Sequence, residues 1–241
     1  MTDPTPSPEP APGLLSRFVG IIFSPGPTMK AALGQPSPYG ILFVATLVLA
    51  LASALPQMTA TGQQAWLDMQ VNLGGANMSD QQIAAMEGMA PYVWLFGFFG
   101  AFVFTPIMAL LFTALMWGIF NALMGGTASF KEVLTVVAHG MVIMAVGQVV
   151  SAPIMMMQGT MSVAGPFNLG ALVPMLSEQS FLARFLGAVS AFTIWQTIVV
   201  AIGLAVLYRR KTGPIAIGLL IAYAAVTAVF VTVFRGLMGG S

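Results

Sequence analysis

Five apolar stretches, residues 39–55, 92–124, 130–157, 185–208 and 214–234, constrain this chain more than any other feature. Each reaches or nearly reaches the roughly 20 apolar residues that a helix needs to cross a hydrocarbon core about 30 Å thick. Nearly all of the eight basic and seven acidic residues lie outside these stretches. With 58% hydrophobic and 6% charged residues, the chain could not cover a soluble surface, where about 25% charge is usual. The expected fold is an all-α integral membrane protein, a five-helix transmembrane bundle with an N-terminal interfacial helix.

The opening MTDPTPSPEPAPG combines alternating prolines with a lack of apolar residues, so residues 1–13 are expected to form a disordered tail. A signal peptide is not expected, because the charged start is missing and Arg17 interrupts the short run LLSRFVGIIF. Read as a helix, that run gathers Leu14, Leu15, Phe18, Ile21 and Ile22 on one side. This suits either a segment lying in the membrane interface or one packed on the cytoplasmic end of the bundle. Pro25, Gly26 and Pro27 end it, and one membrane domain is expected over residues 14–241.

Basic residues near span ends are retained in the cytoplasm. With the N-terminus inside, Arg17, Lys30, Lys131, Arg209, Arg210 and Lys211 are cytoplasmic, and Arg184 and Arg235 are outside. The expected location is therefore the cell inner membrane, with the N-terminus cytoplasmic and the C-terminus outside. In the outer loop between the first two spans, Ser79-Asp80 before QQIAAMEGM reads as an N-cap and a short amphipathic helix, with Ile83 and Met86 facing the membrane or the bundle. The loop QGTMSVAGPFNLGALVPMLSEQS is uncharged over most of its length and reads as a cap or partial re-entrant segment.

No span carries a charge near its centre, so the candidate polar cluster is built from mild groups: Glu132, Thr135, His139 and Gln148 on span three, Thr193 and Gln196 on span four. Glu132, Thr135 and His139 share one helical face. A metal site there is disfavoured by one His and no Cys, and a proton relay lacks deeper titratable partners. The simpler reading has Glu132 at the positive helix N-terminus and His139 hydrogen-bonded to a neighbouring helix. Gly140, Gly147 and Ser151, and Gly118 with Ala122, form small-residue faces for close helix packing. The 18 methionines read as adaptable apolar filler, so no cofactor and no metal are expected. Arg209, Arg210 and Lys211 form a cytoplasmic basic cluster.

Three segments carry a family resemblance. RFVGIIFSPGPTMKAAL, GGTASFKEVLTVVAHG with Gly125, Gly126, Phe130 and Lys131, and AFTIWQTIVVAIGLAVLYRRK with Phe192, Trp195 and Gly203 occur in this order. Together they resemble the Yip-one (Ypt-interacting protein) domain family of five-span membrane proteins, from about Leu14 onward, and the composition is closest to bacterial-type members. Ser190 and Ala191 stand where many bacterial-type members have an acidic residue, so no role for that acid carries over. The resemblance implies a membrane domain without catalytic residues. Partnership with small Rab-type GTPases, a property of eukaryotic relatives, is not carried over to a bacterial-type member.

No catalytic residue is expected, since no paired acids, cysteine or nucleophile-base arrangement lies within a span. The function read from the sequence is a membrane-organising or partner-binding scaffold. The alternative is a small permease, channel or lipid-handling protein with a path between spans three and four. The lipid bilayer and a membrane-protein partner or second copy are the expected partners; nucleic acid is not.

Overall fold

Prolines set the first helix boundaries. The computed structural model describes residues 13–74, 78–158, 165–177 and 180–238, with side chains described outside 72–74 and 234–238. The expected disordered tail therefore lies outside the described residues but for Gly13, as does Glu178. Helix α1, Leu14–Phe23, stops at Ser24, which precedes Pro25 and leaves the helical region at φ −146°, ψ 62°. A residue before proline is pushed towards extended backbone, and proline's fixed φ suits a first helical position. Pro25 duly opens α2, Pro25–Gly34, and Pro38 opens α3, Pro38–Gln57, after an extended Ser37.

Helices α4, Ala60–Gly74, and α5, Asp80–Met89, follow α3. The expected cap of α5 is present as a reciprocal box: the Ser79 hydroxyl accepts from Gln82 N, and Gln82 Oε1 accepts from Ser79 N at 2.9 Å. Ile83 and Met86 are its half-buried residues, one turn apart. Then come α6, Val93–Trp117, continued by a π-turn over Gly118–Leu123, and α7, Phe130–Gln158. The chain ends with α8, Phe181–Ala188, α9, Ala191–Tyr208, and α10, Thr212–Met238. Five of these, α3, α6, α7, α9 and α10, are long and apolar enough to cross a membrane, and the described residues contain no strand. A helix satisfies its backbone groups internally, which is what hydrocarbon demands.

The fourth span departs from expectation. It was read as continuous from residue 185, yet the crossing helix begins at Ala191, and Val189 and Ser190 are extended. The residues after α7 cause the break, because Leu169 N donates to Val189 O and Ala191 N to Phe167 O, both at 2.9 Å. Those groups pair with a folded-back loop instead of a helical ladder. Residues 165–177 thus cap this end of the bundle, as expected, with Phe167 edge-on to Phe192 at 5.4 Å.

Helix α7 is the hub. Of its most apolar window 72% is buried, against 6% for the span containing α6 and 17% for α10. It packs against α3, α9, α6 and α1, and a helix apolar on every side is one made to be surrounded. Phe43 of α3 meets Phe102 of α6 at 6.2 Å, and Gly97 of α6 faces Gln57, so these two run antiparallel. Short connections at 124–129 and 209–211 keep the later neighbours antiparallel as well. The starts of α3, α7 and α10 and the ends of α6 and α9 therefore share one end of the bundle. Helices α1 and α2 pack on the same bundle, with Ile21 and Met29 wholly buried in its core.

Candidate functional site

Three polar residues at the start of α7 bond within the helix and its cap. Glu132 Oε2 accepts from both the backbone N–H and the hydroxyl of Ser129, each at 2.7 Å, and Ser129 Oγ accepts from Glu132 N at 3.3 Å. This capping box satisfies N-terminal donors that the helix cannot. The Thr135 hydroxyl donates to Lys131 O at 2.8 Å. His139 is fully buried, and its Nδ1 lies 2.7 Å from Thr135 O, so Nδ1 carries the proton and donates. The expected bond from His139 to a neighbouring helix is thus replaced by one to its own helix, a turn back. Its Nε2 is buried without a hydrogen-bond partner among the described residues.

Among the described residues no hydrogen bond joins Glu132, Thr135, His139 or Gln148 to Thr193 and Gln196, which adjoin Met144 and Gly140 of α7 from α9. Thr193 and Gln196 both line a groove of about 1000 Å³ between α6, α9 and α10, whereas Glu132, Thr135, His139 and Gln148 do not. Thr193 Oγ1 donates weakly to Met144 Sδ at 3.8 Å, and Thr197 Oγ1 to Thr193 O at 2.7 Å. Gln148 is half-buried on α7. The groove wall is mostly Phe112, Leu115, Ile119, Phe120, Val200 and Leu219, and Arg209, Arg210 and Lys211 stand at one end.

A network that sequence reasoning did not anticipate holds this basic end. Asn121 Nδ2 donates to Ala128 O at 2.6 Å, Trp117 Nε1 donates to the same oxygen at 3.0 Å, and the Tyr208 hydroxyl donates to Asn121 Oδ1 at 2.9 Å. Tyr208 also stacks on Phe120 at 4.8 Å. Gly126 has to be glycine here, because a Cβ would lie 2.5 Å from Tyr208 Cε1 and 2.8 Å from Phe120 O. Arg209 closes α9 with φ 52°, and Arg210 reaches back to donate to Met124 O at 3.2 Å. The paired glycines of GGTASF and the exit LYRR were the available signals; their meeting was not legible.

The small-residue face of α7 is used as expected, whereas the one expected at Gly118 and Ala122 is not, since a Cβ at Gly118 would meet nothing within 4 Å. A Cβ at Gly140 would lie 2.5 Å from Val200 Cγ2, and one at Gly147 would lie 2.5 Å from Phe192 Cγ. Gly203 meets Val136 and Met29 in the same way. Helices α7 and α9 are therefore in close contact at these three glycines. Among the described residues, no group of three or more His, Cys, Asp or Glu side chains is placed to hold a metal ion. The family model for the Yip1 domain matches residues 19–234. No curated protein and no solved structure matches the chain.

Proposed function

The chain belongs to the Yip1 domain family, and we propose that it acts without catalysis as a membrane-embedded scaffold that organises or binds other membrane proteins. One observation carries this reading: Glu132, Thr135 and His139 Nδ1 of the central helix α7 bond within that helix or its cap. Glu132 caps it, while Thr135 and His139 bond to its backbone. The surfaces left for function are the outward faces of α6 and α10 and the basic end of the bundle. Phe96 and Phe104 of α6 and Ile221 and Val226 of α10 are each more than 60% exposed.

In this reading the basic end faces the cytoplasm, since retained cations mark that side. Arg17, Lys30, Lys131, Arg209, Arg210 and Lys211 gather there, so the N-terminus is cytoplasmic and the C-terminus outside. The bacterial-type likeness read in the sequence favours a cell inner membrane, with a second copy or another membrane protein as partner.

Flux tests the scaffold against a transporter. The chain in liposomes is expected to leave proton, potassium and small-solute leakage at the level of empty vesicles. Saturable movement of any of them would overturn the scaffold reading.

A further inference from the structure

The groove between α6, α9 and α10 has the shape and charge of a lipid site, and we propose that it holds an anionic phospholipid drawn from the surrounding bilayer. The proposal does not depend on the scaffold reading. Its walls belong to the two spans least covered by the rest of the fold, with 6% and 17% of their most apolar windows buried, so the groove lies where bilayer lipid arrives first. Between Pro214 and Val226, both in its lining, α10 advances roughly 18 Å at about 1.5 Å per residue. One leaflet of hydrocarbon is about 15 Å deep, half of the usual 30 Å core. The groove is therefore as long as an acyl chain's share of the membrane, and apolar along that length.

Its end supplies the headgroup chemistry. Arg209, Arg210 and Lys211 line the groove where α9 turns into α10, and all three are exposed. Arg210 is fixed by its bond to Met124 O, and the left-handed backbone at Arg209 makes the turn tight. No described acidic side chain pairs with the three. Basic pockets at the ends of spanning helices are complementary to anionic headgroups. A phosphate at this end and an acyl chain along Phe112, Leu115 and Leu219 fill both parts of the groove with one molecule. A free anion would leave the apolar part uncovered.

Gly218 offers a way to fill the groove without disturbing the fold, since a Cβ there meets nothing within 4 Å. The test is native mass spectrometry of the full chain with phosphatidylglycerol or phosphatidylcholine at equal concentration. Wild type is expected to retain phosphatidylglycerol at least tenfold better than phosphatidylcholine. The triple variant R209Q/R210Q/K211Q should erase that preference. Gly218→Phe should lower phosphatidylglycerol retention at least tenfold while preserving helicity, and Ala222→Phe serves if Gly218→Phe does not fold. Excess inorganic phosphate should not displace the lipid. The proposal is overturned by equal retention of the two lipids, or by a preference that survives the charge or the filling variant. It is likewise overturned by displacement with phosphate alone, by loss of a dimer as the only effect of filling, or by retention that needs removal of residues 1–12.

Discussion

The Tyr208 hydroxyl donates to Asn121 Oδ1 at 2.9 Å, joining the end of α9 to the π-turn of α6 across 87 positions of sequence. Asn121 in turn holds Ala128 O, so one side chain connects the second span, its connector to the third, and the fourth. Replacing Tyr208 with Phe should keep the stack on Phe120 and lose only the hydrogen bond, a change of about 0.5–1.5 kcal/mol. Asn121→Ala should lose more, because Ala128 O then forfeits one donor. Unfolding in mild denaturing detergent measures both, and the double variant should fall short of their sum, since the residues share one interaction.

Gly126 and Gly218 make a matched pair. An Ala at Gly126 would push a methyl into the Tyr208 ring and the Phe120 carbonyl, and should destabilise by about 1–3 kcal/mol. The same change at Gly218 meets open space and should be neutral or stabilise by up to about 1 kcal/mol through helix propensity. Thermal melts of the two variants check this, and equal effects would refute the packing described at Gly126.

Ser129→Ala removes the hydroxyl that closes the α7 capping box and should cost about 0.5–2 kcal/mol. His139→Leu keeps the buried volume and exchanges one local hydrogen bond for apolar contact, so the chain should still fold and insert. A defect in His139→Leu at normal expression and stability would show that the imidazole does more than pack.

The spans were legible because a bilayer leaves so little choice: its thickness fixes their length and its dryness fixes their composition. Ser79 was legible as an N-cap because a cap is a local pattern; the reciprocal bond from Gln82 came with the structure. The end of α8 was not, since Gly187, Ala188, Val189 and Ser190 contain no proline and stay mostly apolar. What breaks that helix is pairing with Phe167 and Leu169, some twenty positions away. The arrangement of the polar candidates was not legible for a similar reason. Spacing puts Glu132, Thr135 and His139 on one face of α7, but says nothing of how α9 is rotated. That rotation leaves Thr193 and Gln196 lining the groove while Thr193 still reaches Met144 of α7. The triplet Arg209, Arg210 and Lys211 was visible as an orientation signal; the groove beside it depends on how three helices splay.

Orientation can be read with a reporter active only outside the cytoplasm. Fused after residue 241 it should be active, and fused before residue 1 it should be silent at equal expression. The reverse pattern would move the basic end to the outer side and remove the cytoplasmic surface from the scaffold reading.

The central claim is that this protein works by binding within and beside the membrane. Photo-crosslinking residues at Phe104 of α6 and Ile221 of α10, 63% and 64% exposed, probe these two outward faces in living cells without touching the groove. The account predicts a reproducible membrane-protein adduct of defined mass from at least one of these positions. It also predicts that the adduct is absent when the probe sits at buried Val142. Uncrosslinked chain at both exposed positions, at full expression and correct insertion, would contradict it.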